Sequence, residues 1–272
     1  MTGSLAEAAK REAAARRAAR RRALAIRAAS IAALAAAWEI GGWYMPRIFL
    51  APLHETLLAF VTLTRDGTLV TATLSSLGVL LAGLALSVVL GVMLGLVMGR
   101  YRRVDWMLAP YINGLYATPT VALLPVLSLW LGLYFAPKVA IVVLLAVFPI
   151  IKNTYAGVVT VSQELLEPAV SMGASELQIS RHVIAPAIVP YIMAGLRLSV
   201  GRAVVGLVVG EFFTAQTGLG GVLVRYASSF KTAEMFVPII IMVAIGYGLT
   251  TLVMVLQRRL APWKETERDQ GV

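Results

Sequence analysis

Six long apolar stretches dominate this chain of 272 residues. They fall near 24–45, 72–98, 107–135, 138–158, 189–213 and 236–257. Each reaches the roughly twenty residues that a helix needs to cross a hydrocarbon layer ~30 Å thick. No water reaches the backbone in that layer, so a spanning segment must satisfy its own N–H and C=O groups, and a helix does so. Only 14% of the residues are charged, against about a quarter in a soluble domain. The expectation is an all-α, polytopic membrane protein with six transmembrane helices.

Three regions follow: a basic N-terminal arm over 1–23, a membrane domain over 24–260 and a tail over 261–272. The arm, "MTGSLAEAAKREAAARRAARRRA", is rich in alanine and predicts helix. Its arginines fall all around that helix, which suits solvent or lipid headgroups. The first span is too long for a signal-peptide core and is read as retained. If the N-terminus is cytoplasmic, seventeen Lys and Arg lie on the inner side. Eight of these are in the arm and the opening of the first span. Five lie on the outer side. Basic residues collect inside, so both termini are expected in the cytoplasm. The net charge of +10 is therefore topological, and no nucleic-acid partner is expected.

The chain has no cysteine, and His54 and His182 lie far apart. No disulfide, metal site or cofactor is expected. There is no inward pair of carboxylates and no Ser/His arrangement, so no catalytic residue is assigned. "GLGG" at 218–221 lacks the lysine of a phosphate-binding loop and reads as a turn.

Between spans four and five lies a polar segment, 160–188, which overlaps "LLEPAVSMGASELQISRHVIAPAIVPYI" (165–192). Pro168 suits the first position of a short helix ending at Met172. Gly173 can then take the left-handed conformation that closes a helix. Ser175 and Gln178 have capping-box spacing for a second helix, which should stop near Ile184 because Ala185 precedes Pro186. Leu177, Ile179, Val183 and Ile184 would be left uncovered. The pair either packs on its own bundle or presents a surface to another protein.

These residues resemble the cytoplasmic signature of ATP-binding-cassette importer permeases, E-A-A-x3-G-x9-I-x-L-P. Glu167, Ala169, Gly173 and Pro186 keep the pattern, while Pro168, Val183 and Ala185 depart from it. Further stretches, "YATPTVALLPVLSLWLGL" and "AGLRLSVGRAVVGLVVGEFF", are similar to the nitrate/sulfonate/taurine-type permeases. The resemblance implies a type I importer fold and a homodimer. It also implies two separate ATPase subunits and an extracytoplasmic substrate-binding protein, with hydrolysis in the ATPases. Glu167, Ala169, Gly173, Ala174, Ser175 and Pro186 would couple the permease to those ATPases.

Several residues within the spans are candidates for the solute path. Pro119 and Pro125 remove backbone donors from span three, and Thr118, Thr120 and Ser128 can serve the carbonyls so freed. A kinked helix lining a cavity is one reading and a packing bend is the other. Arg202 lies deep in span five and would attract an anion. Glu211, near the outer end, is a pathway group or a structural one. Lys152 is expected to snorkel to the headgroups. The rival to an importer is a stand-alone secondary transporter or channel, which would leave the capped cytoplasmic helices without a role.

Overall fold

The computed structural model describes residues 2–214 and 217–260. The described residues are almost wholly helical and include no strand. Helix α1 (Thr2–Tyr44) joins the arm to the first span without a break at residue 23, and Arg21–Tyr44 is its apolar part. A short helix, α2 (Leu53–Arg65), leads to α3 (Thr68–Arg100). The third span is α4 (Arg102–Ala117), a 3-10 turn at Thr120–Leu123, and α5 (Leu124–Leu131). Spans four, five and six are α6 (Phe135–Val159), α9 (Ala185–Thr214) and α11 (Thr232–Leu260). Between them lie α7 (Gln163–Ser171), α8 (Glu176–Ile179) and α10 (Gly218–Ser228). Five of the six apolar stretches are single helices long enough to cross a membrane, and the third is the bent pair Arg102–Ala117 and Thr120–Leu131. The expected tail, 261–272, lies outside the described residues.

Lipid tails are as apolar as leucine, so transfer out of water does not draw these helices together; close van der Waals approach does. Helix α6 is gripped from two sides. Gly91 and Gly95 of α3 face it so closely that a Cβ on either would lie 2.7 Å from Ile150 Cβ or 2.6 Å from Thr154 Cβ. On the other side, a Cβ at Gly206 of α9 would lie 3.0 Å from Val142 Cα. Ile141, Val142, Ala146 and Ile150 are consequently sealed from any solvent. Ser199 adds a polar tie, its hydroxyl donating to the Ala146 carbonyl at 2.6 Å. Helix α1 is held mainly near one end. Trp38 Nε1 donates to the Ala51 carbonyl at 3.0 Å, and its ring meets Phe236 of α11 edge-on.

Span three is bent by 92° between α4 and the segment that follows. The break sits at Thr118–Pro119, where Thr118 is extended, as a residue before proline prefers. Thr118 Oγ1 donates to the Gly114 carbonyl at 2.9 Å and Thr120 Oγ1 to the Thr118 carbonyl at 3.3 Å. Ser128 serves no freed carbonyl, because its hydroxyl is buried without a hydrogen-bond partner among the described residues. Pro125 does not break the span either. It lies in the first turn of α5, where a missing N–H leaves no bond unmade.

Two substitutions on α3 should separate close packing from helix propensity. Gly95→Leu would drive its side chain toward Thr154 and the Ile151 carbonyl, 2.8 Å from the new Cβ, and should destabilise the fold by roughly 1–3 kcal/mol. Gly78→Ala meets nothing within 4 Å and should be neutral or stabilising by about 0.5–1 kcal/mol. Thermal unfolding of the detergent-solubilised chain would show both.

Candidate functional site

The polar segment folds as an elbow. Helix α7 starts at Gln163, five residues before the expected start at Pro168, so Glu167 and Pro168 both lie inside it. Gly173 follows with φ +75°, the left-handed region that favours glycine. Its N–H donates to the Val170 carbonyl at 2.9 Å, and the Ala174 N–H donates to the Ala169 carbonyl at 3.0 Å. That pair of bonds is a Schellman closure. The capping box at the start of α8 is complete. Ser175 N–H donates to Gln178 Oε1 at 2.7 Å, and Gln178 N–H donates to Ser175 Oγ at 3.4 Å.

The second helix does not stop near Ile184. A π turn over Ser180–Ile184 carries it directly into α9, and Pro186 and Pro190 lie within the continuous rod. In an ordinary α-turn the Pro186 ring would press on the carbonyl four residues before it. The wider π turn lets the Ala185 N–H reach back to the Ser180 carbonyl and makes room for the ring.

The elbow has one fastened face and one free face. Ile179 and Ile184, expected to be uncovered, are instead buried against Val158 and Ile188 of the bundle. Arg100, at the end of α3, pairs with Glu176. The other face carries Leu177 at 76% exposure and Met172 at 87%. Glu167, Gly173, Ser175 and Pro186 are exposed, while Ala169 and Ala174 are half-buried. Ala169, Gly173, Gln178 and His182 line an open groove between α7 and the π turn.

At the opposite end of the bundle the structure assembles a polar clamp that the sequence did not reveal as a unit. Glu211 is fully buried, so it lines no open path within this chain. Its Oε1 accepts from Ser76 Oγ at 2.6 Å and its Oε2 from Gly220 N–H at 2.7 Å. Ser76 Oγ in turn accepts from Leu219 N–H at 2.8 Å. The first turn of a helix has N–H groups without intrahelical partners, and these are the ones taken up here. "GLGG" therefore opens a helix, and two of its first-turn donors, the Leu219 and Gly220 N–H groups, are taken by the chain's own side chains. Buried Lys138 holds the preceding residue, donating to Thr217 Oγ1 at 2.7 Å. Gly218 has φ +86°, and a Cβ there would collide with Glu211 Oε1. The sequence signal was the glycine run beside an isolated carboxylate.

The candidate path residues divide. Thr118, Pro119 and Arg202 gather at the break in span three, where Arg202 is exposed and donates to Tyr116 Oη at 2.7 Å. Pro125 lies beyond the break and Glu211 in the clamp. Lys152 does not reach toward the end of its helix; its ammonium lies over the Tyr116 ring.

A six-span helical chain with one span broken and a capped elbow at one end has the architecture of a solute permease subunit. The chain belongs to the family described as binding-protein-dependent transport system inner membrane component, whose model matches residues 87–266. It is 32% identical over 230 residues to the formylaminopyrimidine transport permease protein of Halalkalibacterium halodurans, covering 85% of this chain and 92% of that one. It is 31% identical to the putative aliphatic sulfonates transport permease protein of Bacillus subtilis, covering 85% and 84%. To the taurine transport system permease protein of Escherichia coli it is 32% identical, covering 79% and 80%. In fold it is similar to a chain of the inward-facing MetNI methionine ABC transporter. That likeness has a TM-score of 0.51 at 19% identity, over 71% of this chain and 96% of that one.

Ser76→Ala should leave the Leu219 N–H unsatisfied and one Glu211 oxygen without its donor. The expected loss is about 1–3 kcal/mol, read as a lower unfolding temperature. An unfolding temperature equal to that of the unsubstituted chain would mean that the clamp holds nothing.

Proposed function

We propose that this chain is the membrane passage of an ATP-driven importer, working as a homodimer with two separate ATPase subunits and an extracytoplasmic substrate-binding protein. Both termini and the elbow face the cytoplasm in this reading, which the excess of basic residues on that side supports. One observation carries the reading. The elbow is locally rigid and fastened to the bundle by one face, yet it leaves Leu177, Met172 and the groove beside Gly173 uncovered. An apolar surface of that kind on a stiff, polar element suits insertion into a groove of another protein.

Glu167, Ala169, Gly173, Ala174, Ser175 and Pro186 are the coupling residues in this reading. Closure of the ATPases on ATP moves the elbow, and the elbow moves α9, to which it is joined without a loop. Hydrolysis belongs to the ATPases. The solute is small and anionic, organic or inorganic. Support for that comes from exposed Arg202 beside the broken span and from relatives named for sulfonates and taurine.

Substitution at Gly173 tests the coupling. A Cβ there meets nothing within 4 Å in this chain, so any local penalty is conformational. An ordinary side chain in the left-handed region costs about 1–2 kcal/mol, whereas asparagine is tolerated there. Gly173→Leu should leave the permease inserted but abolish solute-stimulated ATP hydrolysis in the reconstituted importer, and Gly173→Asn should keep most of it. Full stimulation in the leucine variant would overturn the coupling role.

A further inference from the structure

Three side chains from three helices meet just before the break in span three. Tyr116 is the penultimate residue of α4. Its ring is set edge-on against Phe148 of α6, with centroids 5.8 Å apart. The Arg202 guanidinium from α9 lies 4.9 Å from the centre of the Tyr116 ring, and the Lys152 ammonium from α6 lies 4.2 Å from the same point. Arg202 also donates to the Tyr116 hydroxyl. Two cations thus lie within about 5 Å of the centre of one tyrosine ring, which packs edge-on against a phenylalanine.

The depth of this cluster makes it unusual. Lys152 lies seven residues from the Val159 end of α6, about 10 Å along the helix. Arg202 lies twelve residues from the Thr214 end of α9, about 18 Å. Both side chains are nevertheless exposed in the single chain. Cations exposed at such depth are costly against lipid and almost always face a bundle interior or a watery cavity. Among the described residues neither cation has a carboxylate within ion-pair distance; the ion pairs present are Arg47–Glu55, His54–Glu39 and Arg100–Glu176. Asp105, near the start of the same α4, is engaged by the Tyr155 hydroxyl at 3.1 Å. The tyrosine face and the carbonyl end of α4 moderate the repulsion between the two charges, but neither neutralises them.

We propose that Arg202, Lys152 and Tyr116 form an oxyanion seat on the solute path, which receives the solute by a sulfonate, carboxylate or phosphate group. The guanidinium fork suits two oxygens of such a group and the ammonium a third. The Thr118–Pro119 break ends α4 beside the seat, so its carbonyl end helps to hold the two cations in place, and the oxyanion is drawn by their charge. This rests on the importer reading with its anionic solute and adds to it the residues that meet the charged group. Among the relatives, the sulfonate and taurine permeases are named for solutes that carry such a group.

Because the chain has no cysteine, a single reporter can be placed beside the seat. Leu198 is exposed, one helical turn before Arg202 on α9. The full-length Leu198→Cys chain, in bilayers of zwitterionic phosphatidylcholine, is treated with sulfonatoethyl methanethiosulfonate and with its trimethylammonium counterpart. Rates are normalised to those on a free thiol. The anionic reagent should react about tenfold faster, as a focused positive potential requires, and millimolar ethanesulfonate should slow it. Adding Arg202→Gln with Lys152→Gln should remove both effects.

Equal rates, a faster cationic reagent, no labelling by either, or no protection by ethanesulfonate would each overturn the seat, as would a preference that survives the double substitution. The protection measurement uses the two native cations and does not depend on the double variant folding. A preference that appears only when phosphatidylglycerol is added would assign the cluster to lipid headgroups and overturn the seat as a solute site. The labelling needs no ATPase, so it can succeed where nucleotide-driven uptake fails, and the two readings fall separately.

Discussion

Everything in this fold is hung on the close approach of α6 to its two neighbours. In a solvent of acyl chains an apolar side chain gains little by moving from lipid to protein, so the helices must touch over long lines to stay together. Glycines on α3 and α9 bring backbone against α6 and leave Val142, Ala146 and Ile150 with no exposed surface. The functional features then distribute themselves along α6. Lys138 holds the turn before α10 at one end. Val158 helps to seat the elbow at the other. Lys152 stands between them and turns toward the broken span.

The two ends of the bundle solve opposite problems. At the clamp, the free N–H groups of α10 and the polar atoms of Glu211 and Ser76 satisfy one another inside the protein. At the elbow, backbone groups are equally well closed by the Gly173 turn and the Ser175–Gln178 box, but Met172 and Leu177 remain in solvent. At the clamp the polar groups named are paired within the chain, and at the elbow two large apolar side chains are not covered. That contrast is what the proposal of a partner at the elbow rests on.

Local rules reached the elbow well because its signals are short-range. A glycine after a short helix and a serine three residues before a glutamine fix their own geometry, and both formed as the sequence implied. The spans were legible for the same reason, since length and hydropathy are properties of a single segment. What the sequence could not show depends on neighbours far along the chain. Glu211 meets Ser76 across 135 residues, and Tyr116 meets Arg202 across 86. Pro125 and Pro119 look alike in sequence, but only Pro119 interrupts a helix already under way. The burial of Ile179 and Ile184 likewise required the position of Val158 and Ile188. The local rule that a helix stops before proline missed the π turn that lets the rod continue through Pro186.

That π turn has a mechanical consequence. From Glu176 to Thr214 the backbone runs as one rod of 39 residues, with a change of pitch at Ser180–Ile184 and no loop. A rod of that length extends for roughly 58 Å. It is pressed against α6 at Gly195, Gly206 and Gly210. Near its far end, Glu211 is bonded to the first turn of α10. No loop therefore separates the elbow from the clamp at the other end of the bundle.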